Sequence, residues 1–226
     1  MPDGDWTERP RSVSLIDAQY LNAAAAQALP AGTTLNLEDF AGRITPTYHW
    51  RFRTYYFDAL PYKPVNGPTP AQAATYATKQ AELKLVTRLD RFTVREGYCA
   101  RSKKYGRPVA RAGGSEQFEC TEQKMVDVLL ATELTRIAWS KEAQHISLVA
   151  GDADYVPAVQ AAKNAGALVR LYYYRGGTTS YGERLFDEAD ERFDLARILD
   201  DIRQGRPDPR RPSLSSPTPP PPAASQ

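Results

Sequence analysis

Four aspartates raise the chemical question. Asp17 closes the apolar run "SVSLID", Asp127 falls in "KMVDVLLATEL", and Asp152 and Asp154 follow the apolar run "HISLVAG". A carboxylate at the end of a buried run is costly unless a cation or a hydrogen-bond donor receives it. Two uses fit. Aspartate is among the best N-caps, so Asp17 before "AQYLNAAAAQAL" and Asp154 before "YVPAV" can each cap a helix, and Asp127 in a first helical turn is favoured by the helix dipole. Brought to one place, the same four acids repel one another and call for a divalent ion. Hard cations such as Mg²⁺ or Mn²⁺ take oxygen ligands, whereas zinc would want cysteine or histidine beside them. One or two such ions, activating water in line with a phosphodiester, would make the cluster a hydrolytic centre. Glu133 lies six residues after Asp127, about 240° around the same helix, and reads as a structural or surface acid.

Bringing the acids together requires particular elements. "SVSLID" reads as a strand feeding the alanine-rich helix, and after a loop containing Pro30 and Gly32 the aromatic run "RFRTYYFDAL" reads as a second strand. Thr69 as N-cap, Pro70 at the first helical position and Gln72 completing a capping box predict a helix through "TPAQAATYATKQAELKLVTRL". "FTVREGYCA" is a third strand, and "RSKKYGRPVARAGGSEQ" has the polar, basic, glycine-bearing composition of a hairpin or mobile loop. Val126, Leu129, Leu130, Leu134 and Ile137 recur at helical spacing. "HISLVAG" is a fourth strand of the nearly continuous apolar kind found in sheets covered on both faces. Pro157 and Gly166 bound the next helix, "ALVRLYYYR" is a fifth strand, and "SYGERLFDEAD" and "ERFDLARILDDIRQ" read as closing helical pieces. This order predicts an α/β fold of Rossmann-like kind, with a mainly parallel central sheet and helices on both faces. In such sheets sites form outside the carboxyl ends of strands, where neighbouring crossovers diverge. If the first and fourth strands are neighbours, Asp17, Asp152 and Asp154 converge, and Asp127 can join them from its helix.

Composition narrows the partners only slightly. The chain has 29 Lys and Arg against 27 Asp and Glu, a net charge of +2, so no global field marks a nucleic-acid binder. Cys99 and Cys120 are too few for a disulfide framework and lack zinc-ligand spacing, so reduced thiols are expected. "MPDGDWTERPRS" lacks the apolar core of a signal peptide and no segment reaches bilayer length, which makes a cytoplasmic protein without a membrane partner the expectation. The domain plan is an N-terminal extension over 1–10, one folded domain over 11–205, and a Pro- and Ser-rich disordered tail over 206–226.

"SLIDAQYLN", "RTYYFDALPY", "QKMVDVLLATEL" and "LVAGDADYVPAV", in this order, resemble the NYN domain family, whose members are similar to PIN-like, LabA-like nucleases. The resemblance spans roughly Arg11 to Leu199. It implies a parallel sheet carrying aspartates that bind Mg²⁺ or Mn²⁺ and cut RNA, and by likeness of motif those acids fall on Asp17, Asp127, Asp152 and Asp154, as both catalytic and metal-binding residues. Many members have asparagine where this chain has Tyr20, and asparagine reappears at Asn22; many have glycine where Met125 stands. Asn22 and Lys124 are candidates for polar support behind the acids. Arg101, Lys103, Lys104 and Arg107, with Tyr105, form the mixture that can pair phosphates and stack unpaired bases, although a solvated hairpin has the same composition. The expected function is therefore a metal-dependent ribonuclease, with endonucleolytic cleavage, single-stranded or structured RNA as partner, and self-association left open. A catalytically weak RNA-binding or scaffold module is the alternative. A Mg²⁺ phosphatase of the haloacid-dehalogenase kind would want an aspartate-x-aspartate on the first strand, which "IDAQYLN" does not supply.

Overall fold

A computed structural model describes residues 9–64, 67–106, 116–176 and 181–208, with side chains described outside 102–121. Seven strands form one sheet: β1 (Arg11–Asp17), β2 (Trp50–Leu60), β3 (Phe92–Gly106), β4 (Glu116–Lys124), β5 (His145–Val149), β6 (Leu168–Tyr173) and β7 (Glu191–Asp194). Their spatial order is β4-β3-β2-β1-β5-β6-β7. Every pairing is parallel except β3 with β4, so the sheet is mixed at one edge.

The helices are α1 (Ala18–Ala28), α2 (Leu37–Arg43), α3 (Pro70–Val86), α4 (Val126–Trp139), α5 (Val156–Asn164), α6 (Glu183–Glu188) and α7 (Leu195–Arg203). Leu21 of α1, Phe40 of α2, Leu83 of α3 and Leu199 of α7 are buried in one core layer. Leu130 of α4, Val159 of α5 and Leu185 of α6 fill the other. Crossover α1 therefore leaves β1 toward one face while α5 leaves β5 toward the opposite face. Because β1 and β5 are hydrogen-bonded neighbours, their carboxyl ends form the point where the crossovers diverge.

The capping box of α3 forms as its sequence predicts: Thr69 Oγ1 accepts from the Gln72 N–H at 3.2 Å, and Gln72 Oε1 accepts from the Thr69 N–H at 2.9 Å. Three elements, α2, β4 and β7, are not marked in the sequence reading. Helix α2 lies where only a loop was expected; Asn36 caps it, and buried Phe40 and Ile44 hold it down. The Ile44 carbonyl accepts from both Ser147 Oγ and Tyr172 Oη at 2.8 Å, which ties its end to β5 and β6. Of the two forms expected for the basic segment, the hairpin is the one found: β3 continues to Gly106 and pairs antiparallel with β4, an edge strand that the sequence reading does not mark and whose partner rather than its own pattern decides its conformation. "ERFD", read as the start of a helix, is strand β7, and helix α7 begins only after Asp194 caps it through the Ala196 N–H. At the C-terminal end, Arg43 Nη2 donates to the Arg206 carbonyl at 2.6 Å and Asp208 is buried, so residues placed in the tail rest on the domain. Residues 209–226, the rest of the expected tail, lie outside the described residues. Among the described residues no helix is long and apolar enough to cross a membrane.

Candidate active site

Asp17 ends β1, half-buried, and its backbone is the N-cap of α1; its Oδ1 accepts from the Tyr20 N–H at 3.1 Å. Capping and convergence thus use the same carboxylate. Asp127 sits in the first turn of α4, exposed, and its Oδ1 accepts from the hydroxyl of Tyr155 at 2.8 Å. The same hydroxyl lies 3.4 Å from Asp17 Oδ2. Tyr155 is fully buried at the end of a 3-10 turn, Ala153–Tyr155, and its single phenolic proton stands between acids from two different elements. Burial raises the Tyr155 pKa well above the ordinary tyrosine value, and Asp17, Asp127 and Asp152 push it further up, so the phenol stays protonated and remains a donor. Burial, and then the charge of Asp127, pushes the Asp17 carboxyl up to about 6, against the lowering effect of the Tyr20 N–H.

Asp152 is the exposed N-cap of the 3-10 turn, its Oδ1 accepting from the Asp154 N–H at 2.9 Å. The capping role expected of Asp154 thus falls to Asp152, because a 3-10 turn precedes α5 and moves the cap two residues upstream. Asparagine caps as well as aspartate, whereas alanine cannot. Asp152→Asn should melt within about a degree of wild type, and Asp152→Ala should lose about 1 kcal/mol in a denaturant melt; equal losses in both variants would mean that charge, not capping, holds the turn.

Asp17 and Asp152 line a cavity of about 750 Å³ together with Gln19, Tyr20, Tyr181 and Gly182. The Gly182 N–H donates to the Gly151 carbonyl at 2.7 Å, and a Cβ at Gly182 would stand 2.8 Å from that of Ala153, so the wall beside Asp152 closes only around a glycine. Asp154 is exposed and outside this lining. Three of the four aspartates therefore bear on one phenol, two of them on the cavity. Among the described residues no three Asp, Glu, His or Cys side chains stand in metal-ligand spacing. The donor set is nonetheless all oxygen, and an Asp17 carboxyl whose ionisation is disfavoured by burial and, less, by the charge of Asp127 is the electrostatic cost that a hard cation relieves.

The other sequence candidates fall elsewhere. Asn22 hydrogen-bonds with the Tyr56 side chain and lines a second cavity, of about 540 Å³, between α1 and α3, which also holds the Asp58–Lys79 ion pair at 2.6 Å. Tyr20 accepts from the Tyr174 N–H at 2.8 Å through its hydroxyl and so fastens the end of β6 to α1. Lys124 Nζ pairs with Glu122 at 2.7 Å. Glu133 is buried and receives Arg95 at 3.3 Å and Arg136 at 2.5 Å, a structural acid. Arg101 is exposed and lies over the Tyr62 ring at 5.3 Å. Lys103, Lys104 and Tyr105 pair in β3 with Glu119, Phe118 and Gln117, their side chains lying outside the described residues, as does Arg107 entirely. His49 and His145, assigned no role from sequence, meet at the amino-terminal edge with ring centroids 4.1 Å apart. Tyr155 is the candidate site residue that sequence reasoning did not single out; its signal was its place directly after the Gly-Asp-x-Asp run.

Met125 precedes α4 with φ of 72°, in the left-handed region, and is half exposed. Glycine adopts this conformation without the steric penalty that a side chain meets. Met125→Gly should therefore be neutral or stabilising by up to about 1 kcal/mol; a loss of stability in thermal melts would contradict it.

The NYN domain family model matches residues 13–199, which include every strand and helix named above except the first two residues of β1 and the last turn of α7. The chain belongs to the NYN domain family. NYN domains are in general PIN-like nucleases, hydrolases at the coarsest level. No curated protein matches this NYN chain.

Proposed function

We propose that this NYN domain is a metal-dependent ribonuclease that cuts RNA within the strand, with its centre at Asp17, Asp127, Asp152 and Asp154. The observation that carries the reading is the Tyr155 hydroxyl held between Asp17 and Asp127 at the carboxyl ends of β1 and β5, beside a cavity that Asp152 shares. Asp17 and Asp152 would be the principal holders of Mg²⁺ or Mn²⁺, with Asp127 and Asp154 flanking. When bound, such an ion lowers the pKa of a coordinated water and neutralises charge growing on phosphoryl oxygens.

The chain's own residues do the rest. Asp17 is fixed by its cap to the Tyr20 N–H, so its second oxygen faces Tyr155 rather than turning into solvent. Asp127 is fixed by the same phenol. With its carboxyl pushed up to about 6 in the metal-free protein, Asp17 takes up a proton in mild acid. Because only the ionised carboxylate can hold a cation, proton and metal compete there, and the acid limb of the rate profile at limiting metal should reflect that competition. The cavity, open along α1 and bounded by Tyr181 and Gly182, offers room for a nucleotide against Gln19 and Tyr20.

The test is cleavage of end-labelled RNA with Mn²⁺ or Mg²⁺ against EDTA, for wild type and Asp17→Asn, with mapping of the cut ends. Metal-dependent internal cuts that vanish in the variant support the reading. Equal cutting by both proteins would sink it. The second reading, an RNA-binding module with weak or no catalysis, draws on Tyr20 at the position of the family's asparagine and on the absence of three ligating side chains in spacing among the described residues. It predicts RNA binding without metal-dependent cuts.

A further inference from the structure

The edge of the sheet opposite Asp17 carries charge that the site does not use. Arg11 begins β1, Trp50, Arg51, Phe52 and Arg53 begin β2, and Arg91 directly precedes β3, so all lie at the amino-terminal ends of three adjacent parallel strands. The register runs Arg11 to Trp50, Ser12 to Arg51 and Val13 to Arg53, which leaves Phe52 as the extra residue of a β-bulge. Bulges re-aim side chains and are found at rims and binding edges.

The re-aimed side chains interleave. Arg11 and Arg53 both lie over the Phe52 ring, at 5.3 and 5.7 Å from its centroid. Arg91 lies over Trp50 at 5.2 Å, Arg51 over Phe92 at 5.5 Å, and Trp50 meets Phe52 edge to face at 5.5 Å. Tyr48, just before β2, is 79% exposed. Four guanidiniums on one rim repel each other, and among the described residues Arg11, Arg53 and Arg91 have no carboxylate within ion-pair distance. Cation–π pairs at exposed positions stabilise a fold only weakly, so folding alone gains little from this concentration of charge. The whole chain carries only +2, which makes the rim a local basic feature rather than part of a generally basic surface.

We propose that this rim binds single-stranded RNA, the arginines pairing with phosphates and Tyr48 and Trp50 offering faces to unpaired bases, with Phe52, packed against the core, as the platform under Arg11 and Arg53. A duplex would engage the charges but leave the aromatic faces unused, since its bases are already stacked. From Arg11 to Asp17 the strand rises roughly 20 Å at about 3.3 Å per residue. At about 3.4 Å per stacked nucleotide, roughly six nucleotides cover that length. The rim would therefore hold a part of the strand several nucleotides from the carboxylates. That this RNA is also the substrate rests on the nuclease reading; that the rim binds it does not.

The test uses the full chain in EDTA, so binding is read without cleavage. Fluorescein-labelled 20-nucleotide oligouridine is titrated against wild type and the triple variant Arg11→Gln, Arg53→Gln, Arg91→Gln over a range of salt. The variant should bind at least tenfold more weakly, and the slope of log K against log salt should shrink by about 2, for three phosphates at ~0.7 each. Tyr48→Ala, at a side chain too exposed to disturb the core, should weaken binding severalfold even if the triple variant folds poorly. Unchanged affinity and slope in a triple variant that melts like wild type would overturn the proposal, as would an A-form duplex that binds as tightly and loses as much. RNA held through the rim but never cut in Mg²⁺ or Mn²⁺ would leave the surface standing and remove the nuclease reading.

Discussion

Asp17→Asn should abolish RNA cleavage and at the same time make the metal-free protein more stable at pH 7.5. Both outcomes come from one carboxylate held where its charge is unwelcome. Asparagine keeps the cap, because its side-chain oxygen can accept from the Tyr20 N–H as Asp17 Oδ1 does. It removes a charge that burial and Asp127 disfavour strongly enough to push the carboxyl up to about 6 from 3.8. The sign follows from linkage: the folded state binds this proton more tightly than the unfolded chain, so the stability it contributes is complete below about 3.8 and is lost as pH rises through about 6. Asparagine mimics the protonated form at every pH. The advantage of the variant should therefore be near zero at pH 4 and fully developed by pH 7. At ~1.4 kcal/mol per decade the shift corresponds to at most about 3 kcal/mol, which water around a half-buried group reduces to roughly 1–2 kcal/mol, or a few degrees in Tm. Cleavage should fall by about a thousandfold, the scale of several kcal/mol of lost transition-state stabilisation. Thermal melts in EDTA from pH 4 to 8, alongside the cleavage assay, read both. A variant that is less stable at neutral pH and still cuts RNA would return Asp17 to the role of a cap alone.

How much of this was legible in the sequence depends on the kind of signal each element carries. β5 is a nearly continuous apolar run of the kind found in a doubly covered sheet, which pointed to a parallel sheet with sites at its carboxyl edge. The adjacency of β1 and β5, on which the meeting of Asp17 and Asp152 depends, was a condition that the pattern left open and that the strand pairing supplies. Helix α3 announced itself through local chemistry at Thr69, Pro70 and Gln72. β4 carried no such signal: its residues are mostly polar, and hydrogen bonding to β3 alone makes "EQFECTEQK" a strand. α2 is too short for periodicity to register and depends on burying Phe40 and Ile44, a tertiary effect. β7 is four residues long, and the helical pattern of its successor absorbed it. Within the site, Asp152 rather than Asp154 took the cap because a 3-10 turn is indistinguishable in sequence from the first turn of an α-helix. Tyr155, in an apolar context, reads as core, and it is core; what the pattern hides is that the hydroxyl at its tip reaches two carboxylates.

That hydroxyl leads to the second large effect, expected of Tyr155→Phe. The substitution keeps the buried ring and removes one atom, so little packing changes. It deletes a charge-assisted hydrogen bond to Asp127 and the only proton standing between Asp17 and Asp127. Hydrogen bonds to charged groups contribute about 1.5–3 kcal/mol, so the variant should lose about 2 kcal/mol and several degrees of Tm. A loss of mere packing would be indifferent to Asp127, whereas the bond is not. In an Asp127→Ala background the Phe substitution should cost at least about 1 kcal/mol less, the coupling expected of groups in direct contact. Tyr155 also lowers the Asp17 pKa by hydrogen bonding, so its removal should raise that pKa further and move the acid limb of the cleavage profile at limiting metal to higher pH. Additivity of the two substitutions within about 0.3 kcal/mol, with an unmoved acid limb, would show that the phenol fills space and does not position the acids. Coupling together with the shifted limb would make Tyr155 the residue that holds the two carboxylates in register, a role its apolar surroundings permit because they keep the phenol a donor throughout the pH range in which RNA is stable.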